Sequence, residues 1–151
     1  MNPLYVPFRI LLVDDDPDDC MFFKDVLNEL SISSEFTTID GEGLMRYLSK
    51  NKSHLLPDVI FLDLNMPSKN GFECLENIKS KKKLQHIPVI IYSTSYHEVV
   101  ADELYENGAH FYIQKSNLAK LEIELKLVLT MMQEKKMQRP PRNKFVLSFI
   151  K

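Results

Sequence analysis

Four acidic side chains, two hydroxyls and one lysine stand in this chain where short apolar runs stop. FRILLV (8–13) runs into Asp14, Asp15 and Asp16, and DVIFL (58–62) runs into Asp63 and, two residues on, Asn65. VIIYS (89–93) ends on Ser93 with Thr94 next, and HFYI (110–113) leads to Lys115. Crowded carboxylates repel one another, so a cation must neutralise them or some must stay protonated. Hard oxygen ligands favour Mg²⁺, which keeps several waters and uses one or two carboxylates together with phosphate oxygens. A lysine beside such a pocket suits a phosphoryl oxygen. The chemistry within reach is phosphoryl transfer, in which the protein positions groups and neutralises charge. Taken singly, each residue has a plainer use. Acids commonly open helices, where they meet the positive dipole end, and Pro17 suits a first helical turn. Asp18 and Asp19 are assigned to that role alone. A lone lysine is usually solvated.

These residues act together only if the chain brings them to one edge. Between the apolar runs lie amphipathic stretches. Residues 18–30 put Phe23, Val26, Leu27 and Leu30 on one helical face, and Leu44, Tyr47 and Leu48 mark a second helix framed by Gly41 and Asn51. Phe72, Leu75 and Ile78 form the seam of a third. Residues 96–107 read as a more polar helix with Gly108 as its stop, and Leu118, Leu121, Leu125, Val128 and Met132 keep helical spacing in the last. Residues 34–39 alternate weakly, as a strand does. Strand and helix thus alternate five times. Continuous apolar strands belong to a parallel sheet covered on both faces, and right-handed crossovers limit the topology to a doubly wound α/β sandwich. Ligands of such sheets bind beyond the carboxyl ends of the strands, where all the residues above fall.

At 151 residues the chain suits one domain, and 44% hydrophobic with 26% charged residues excludes a disordered class. A net charge of -2 gives no bias toward nucleic acid or anionic membrane. No apolar run approaches the roughly 20 residues of a membrane span. The N-terminal stretch lacks the pattern of a signal peptide, so a cytoplasmic location is expected. Cys20 and Cys74, each among helix-like apolar residues, read as buried free thiols of a reducing cytosol. His54, His86, His97 and His110 show no metal-ligand spacing and are expected to be solvated or capping. There is no Gly-rich phosphate loop.

ILLVDDDPDD (10–19), PDVIFLDLNMPSKNG (57–71), PVIIYSTS (88–95) and GAHFYIQK (108–115) together resemble the receiver domain of two-component response regulators, in order and spacing, from about residue 8 to residue 132. The resemblance implies a five-stranded parallel sheet of flavodoxin-like order 2-1-3-4-5 with helices on both faces. It implies Asp63 as phosphoacceptor, a carboxylate nucleophile that attacks the phosphorus of a phosphohistidine. It implies Mg²⁺ held by Asp15 directly, by Asp14 directly or through water, by Asp63 and by the backbone carbonyl of Asn65. Lys115 would pair with the phosphoryl group, Ser93 would be the hydroxyl that turns toward it, and Tyr112 the aromatic whose rotamer follows. Counting from Pro88 favours Ser93, with Thr94 as the alternative. The chain departs from the pattern in one place. The family's lysine is usually followed by proline, often through a cis bond, and here Ser116 follows Lys115.

The resemblance implies a sensor histidine kinase or a histidine phosphotransfer protein as donor and a downstream protein as target. It implies neither nucleic acid nor membrane as partner, and leaves a homodimer open. Residues 1–134 are expected to form the receiver and 135–151 a basic, Pro-containing tail too short for an output domain. Its apolar end FVLSFI (145–150) is expected either to pack on its own domain or to add to a partner's sheet edge. Two other classes are weighed. An aspartate-nucleophile, Mg²⁺-dependent phosphohydrolase needs an acid two residues after the nucleophile, where this chain has Asn65, which cannot shuttle a proton at neutral pH. A phosphorylation-independent interaction module is suggested only by the missing proline.

Overall fold

The computed structural model describes residues 8–147 apart from 31, 68, 135 and 136. Five strands, β1 (Phe8–Val13), β2 (Ser34–Ile39), β3 (Val59–Leu62), β4 (Val89–Ser93) and β5 (Phe111–Gln114), form one parallel sheet in the order β2-β1-β3-β4-β5. The helices are α1 (Pro17–Glu29), α2 (Leu44–Lys50), α3 (Gly71–Lys79), α4 (Glu98–Glu106) and α5 (Leu118–Gln133). The fold is the doubly wound α/β sandwich expected.

Each strand alternates its side chains between two cores. Leu11, Val13, Ile60, Leu62 and Ile91 face α2, α3 and α4, whereas Ile10, Leu12, Phe61, Ile90 and Tyr92 face α1 and α5. The second core centres on Phe23. Its ring stacks on Phe36 at 5.5 Å and meets Phe61 and Tyr92 edge-on at 4.9 and 5.5 Å. Aromatic pairs of this kind are each worth about 0.5–1.5 kcal/mol beyond their area, which ties α1 to three strands at once.

Polar side chains set where the helices begin. Asp16, Asn70 and Asn117 cap α1, α3 and α5 by accepting backbone N–H bonds, each such cap being worth about 1 kcal/mol. At the end of α4, Gly108 takes a φ of +101°, and the N–H groups of Gly108 and Ala109 return to Tyr105 and Leu104. That is a Schellman stop, which favours a residue without a Cβ. α4 starts two residues later than its sequence pattern suggests, because Tyr96 turns its ring onto Tyr112 and its hydroxyl onto Glu98. Asp58 stands before β3 rather than in it, with its carboxylate accepting the Arg9 N–H.

The segment after α5 returns across α4 and β5. Arg139 donates to the carbonyls of Tyr105 and Ala109, and Tyr105 donates to Pro140. Arg142 pairs with Asp102 and Glu98 on α4. Phe145, Val146 and Leu147 are buried, and Val146 forms a parallel bridge with Tyr112 at the β5 edge. Of the two placements expected for the apolar end, these three residues take the one on their own domain; residues 148–150 lie outside the described residues. Cys74 is buried and Cys20 half-buried, and both thiols are free. No described helix is long and apolar enough to cross a membrane.

Candidate functional site

Register brings the acids together. Val13 pairs with Leu62, so the residues that follow, Asp14 and Asp63, leave the sheet side by side, and the Asp63 N–H bonds Val13 at 2.9 Å. The Lys115 N–H bonds the Ser93 carbonyl at 2.7 Å, which fixes where the lysine leaves β5. Asp14, Asp15, Asp63, Asn65, Thr94 and Lys115 line one cavity of about 440 Å³ at this edge.

Asp14 and Asp63 are 5% and 6% exposed, which decides their chemistry, since carboxylates are seldom buried without a partner. Asp14 Oδ1 accepts the Asp16 N–H at 2.9 Å, and Asp63 Oδ1 accepts the Asn65 N–H at 3.3 Å. Asp15 Oδ1 accepts the Gly41 N–H at 3.3 Å, tying β1 to the loop after β2. Asp16 lines the same cavity, and one of its carboxylate oxygens is engaged in capping α1. Gly71, the first residue of α3, explains how close the acid edge and that helix come. A Cβ there would meet the Asp63 carbonyl oxygen at 2.6 Å and Leu64 Cα at 2.8 Å. Close approach to that backbone is its use here.

Lys115 is the cation of the site. Its Nζ donates to Asp14 Oδ2 and Asp19 Oδ2, both at 2.8 Å, and stands 3.7 Å from Asp63 Oδ2. The Tyr92 ring supports the ammonium from below at 4.9 Å. Burial alone would push the lysine pKa down; the bonds from Asp14 and Asp19 and the charge of Asp63 outweigh it and hold the ammonium above the usual lysine range. Burial pushes the Asp63 carboxyl above the usual carboxylate range, with Lys115 pulling it back. The bond from Lys115 to Ser116 is trans, since no described peptide bond is cis.

Ser93 and Tyr112 lie behind this cavity rather than in its wall. Ser93 is fully buried and accepts from Asn65 Nδ2 at 3.2 Å. Its hydroxyl lies close to that of Tyr112, which donates to the Ser95 carbonyl. Ser93 is thus the hydroxyl beside Tyr112, while exposed Thr94 lines the cavity. Tyr112 also touches Tyr96 and Phe145, and its N–H bonds the Phe145 carbonyl at 3.0 Å.

Two residues of the site escaped the sequence reading. Asp19 does more than open α1, because one turn of helix carries it to Lys115. Tyr92 was read only as part of a strand; its alternation with Ser93 places it on the opposite face, under the lysine. His110 also departs from expectation. Its Nδ1 is buried with no partner among the described residues, and burial together with Lys79 and Arg139 lowers its pKa to about 4.

For a divalent cation the donor set is right in kind: carboxylate oxygens and a peptide carbonyl, the hard ligands Mg²⁺ takes. Among the described residues no group of three or more Asp, Glu, His or Cys is already gathered to hold an ion. An ion that keeps several waters and binds one or two carboxylates directly does not require such a group, so the residues fit it.

Comparison with known proteins gives the family and the fold. The family model of the response regulator receiver domain matches residues 10–126. Response regulator Rcp1 of Synechocystis sp. is 35% identical over 114 residues, covering 73% of this chain and 78% of that protein. The phosphorylated cyanobacterial phytochrome response regulator RcpA matches with TM-score 0.76 at 33% identity, over 86% of this chain and 96% of that one. The Mn²⁺-bound form of Rcp1 matches with TM-score 0.72 at 32% identity, over 89% and 99%. A match that runs from β1 into α5, on a sheet whose strand ends gather these acids around one lysine, makes this chain a member of the response regulator receiver domains of two-component systems.

Proposed function

We propose that Asp63 accepts a phosphoryl group from the phosphohistidine of a sensor histidine kinase or a histidine phosphotransfer protein in the cytoplasm. A carboxylate oxygen of Asp63 attacks phosphorus, the P–N bond breaks, and the imidazole leaves with the bonding pair and takes up a proton. Lys115 meets the charge gathering on the phosphoryl oxygens, which is where stabilisation counts. Asp14, Asp15, Asp63 and the Asn65 carbonyl would hold Mg²⁺, which when bound neutralises the carboxylates and the incoming phosphate. A phosphorylated RcpA and a Mn²⁺-bound Rcp1 among the similar structures support both parts. The observation that carries the reading is a buried carboxylate at the end of a central strand, opening on a cavity, with an ammonium 3.7 Å away.

The signal leaves through Ser93. A phosphoryl oxygen on Asp63 draws the Ser93 hydroxyl forward, Ser93 releases Tyr112, and the α4–β5 surface read by a downstream protein shifts in population. Catalytic activity is confined to slow self-phosphorylation and self-dephosphorylation. A phosphohydrolase reading finds no support, since the Asn65 amide is no proton shuttle and is already donated to Ser93. Incubation with Mg²⁺ and acetyl phosphate, followed by mass spectrometry, tests the assignment. Wild type gains one phosphoryl group and Asp63→Asn gains none; no gain in wild type, or equal gain in the variant, overturns it.

A further inference from the structure

Receivers of this kind usually follow the site lysine with proline; this chain does not, yet its lysine is held firmly. The Lys115 side chain is only 8% exposed. An ammonium has three N–H donors. Two are taken at 2.8 Å by Asp14 and Asp19, and Asp63 at 3.7 Å lies outside hydrogen-bond range. Coulomb attraction falls as 1/r, so at equal dielectric each 2.8 Å pair outweighs the 3.7 Å pair by about 1.3-fold. The lysine therefore rests short of the phosphoacceptor, drawn toward the first turn of α1. Asp14 belongs to the acid cluster itself. Asp19 comes from outside it, reaching in from the helix that Asp16 caps.

We propose that Asp19 is a positioning residue that anchors Lys115 on the α1 side of the site and competes with the phosphoryl group for the ammonium, weakening the phosphorylated state. This rests on the reading of Asp63 as phosphoacceptor. Two effects of Asp19 carry the same sign. Its carboxylate holds back the lysine that the phosphoryl oxygens require, and its charge repels a phosphoryl group of about −1.5 to −2 charge. Its removal strengthens phosphoryl binding on both counts. Asp18 supplies an internal control. It carries the same charge in the same helical turn, is exposed, and forms no ion pair with Lys115 among the described contacts.

The test uses the full chain with Mg²⁺ and fluoroberyllate, a phosphoryl mimic, titrated into wild type, Asp19→Asn, Asp19→Glu and Asp18→Asn. Asp19→Asn binds the mimic about twofold to fivefold more tightly, the scale of a partly exposed charge pair. Asp18→Asn stays at the wild-type affinity, and Asp19→Glu, which restores the anchor, returns close to it. Independently of the mimic, the ¹H–¹⁵N signal of the Lys115 ammonium is observable in metal-free wild type and shifts or broadens in Asp19→Asn but not in Asp18→Asn. Equal or weaker binding in Asp19→Asn, an equal gain in Asp18→Asn, or an ammonium signal indifferent to Asp19 overturns the proposal. Failure of wild type itself to bind fluoroberyllate would instead overturn the assignment of Asp63.

Discussion

Lys115 and His110 are two ionisable side chains that the same sheet treats in opposite ways. Lys115 is buried among carboxylates, so its charged form wins over desolvation. His110 is buried beside Lys79 and Arg139, so its charged form loses on every count. Its neutral form is favoured by the fold, and the unfolded chain binds more protons between the ordinary value of 6.5 and the folded value of about 4. Its contribution to stability is therefore complete above pH 6.5 and is withdrawn as the pH falls through about 4. Urea unfolding at pH 7 and at pH 4.5 checks this: His110→Leu loses less stability across that interval than wild type does. An equal loss in both would mean that His110 takes up its proton in the folded protein as readily as in the unfolded chain. The sequence reading took all four histidines as solvated or capping, because a histidine next to an apolar run carries no mark of what the neighbouring helix will place against it.

Elements here are placed by a few side chains at their ends. Most were legible: Asn51, Gly108 and the acids with Pro17 before α1 mark boundaries within two residues of those observed, since caps and stops are local chemistry. Gly71 was legible as a glycine but not in its purpose. No positive φ requires it; what requires it is the Asp63 carbonyl, brought against α3 by the turn through Met66 and Pro67. Gly71→Ala puts a methyl group 2.6 Å from that oxygen, where backbone rather than a flexible side chain must yield. Overpacking of this sort costs about 1–3 kcal/mol, more than alanine's helix preference of at most about 1 kcal/mol returns. The expected result is a lower urea midpoint at unchanged slope, together with weaker fluoroberyllate binding because Asp63 has moved. A midpoint at or above wild type would show that α3 shifts freely.

Across the whole molecule, the acid edge and the returning C-terminal segment are joined through one path of neighbouring side chains. It runs from Asn65 to Ser93, Tyr112 and Ser95, and Tyr112 continues it to Phe145. Fluoroberyllate with Mg²⁺ should therefore shift the amide signals of Tyr112, Tyr105 and Phe145 as well as those of Asp63 and Asn65. Ser93→Ala should keep the shifts at the acid edge and lose most of those at Phe145; shifts at Phe145 undiminished in Ser93→Ala would place the coupling elsewhere. The alternation of strand and helix, the acids, and Lys115 at a strand end could all be read along the chain, because periodicity and strand termini are properties of neighbouring residues. Which acids meet the lysine could not. Asp19 and Lys115 are 96 residues apart, and their contact depends on β1 and β5 flanking the two central strands while α1 crosses the same face as Tyr92. Long-range packing also settled the seat of Phe145, since an apolar segment carries its hydrophobicity in its sequence but finds the surface that buries it only once β5 and α4 stand side by side.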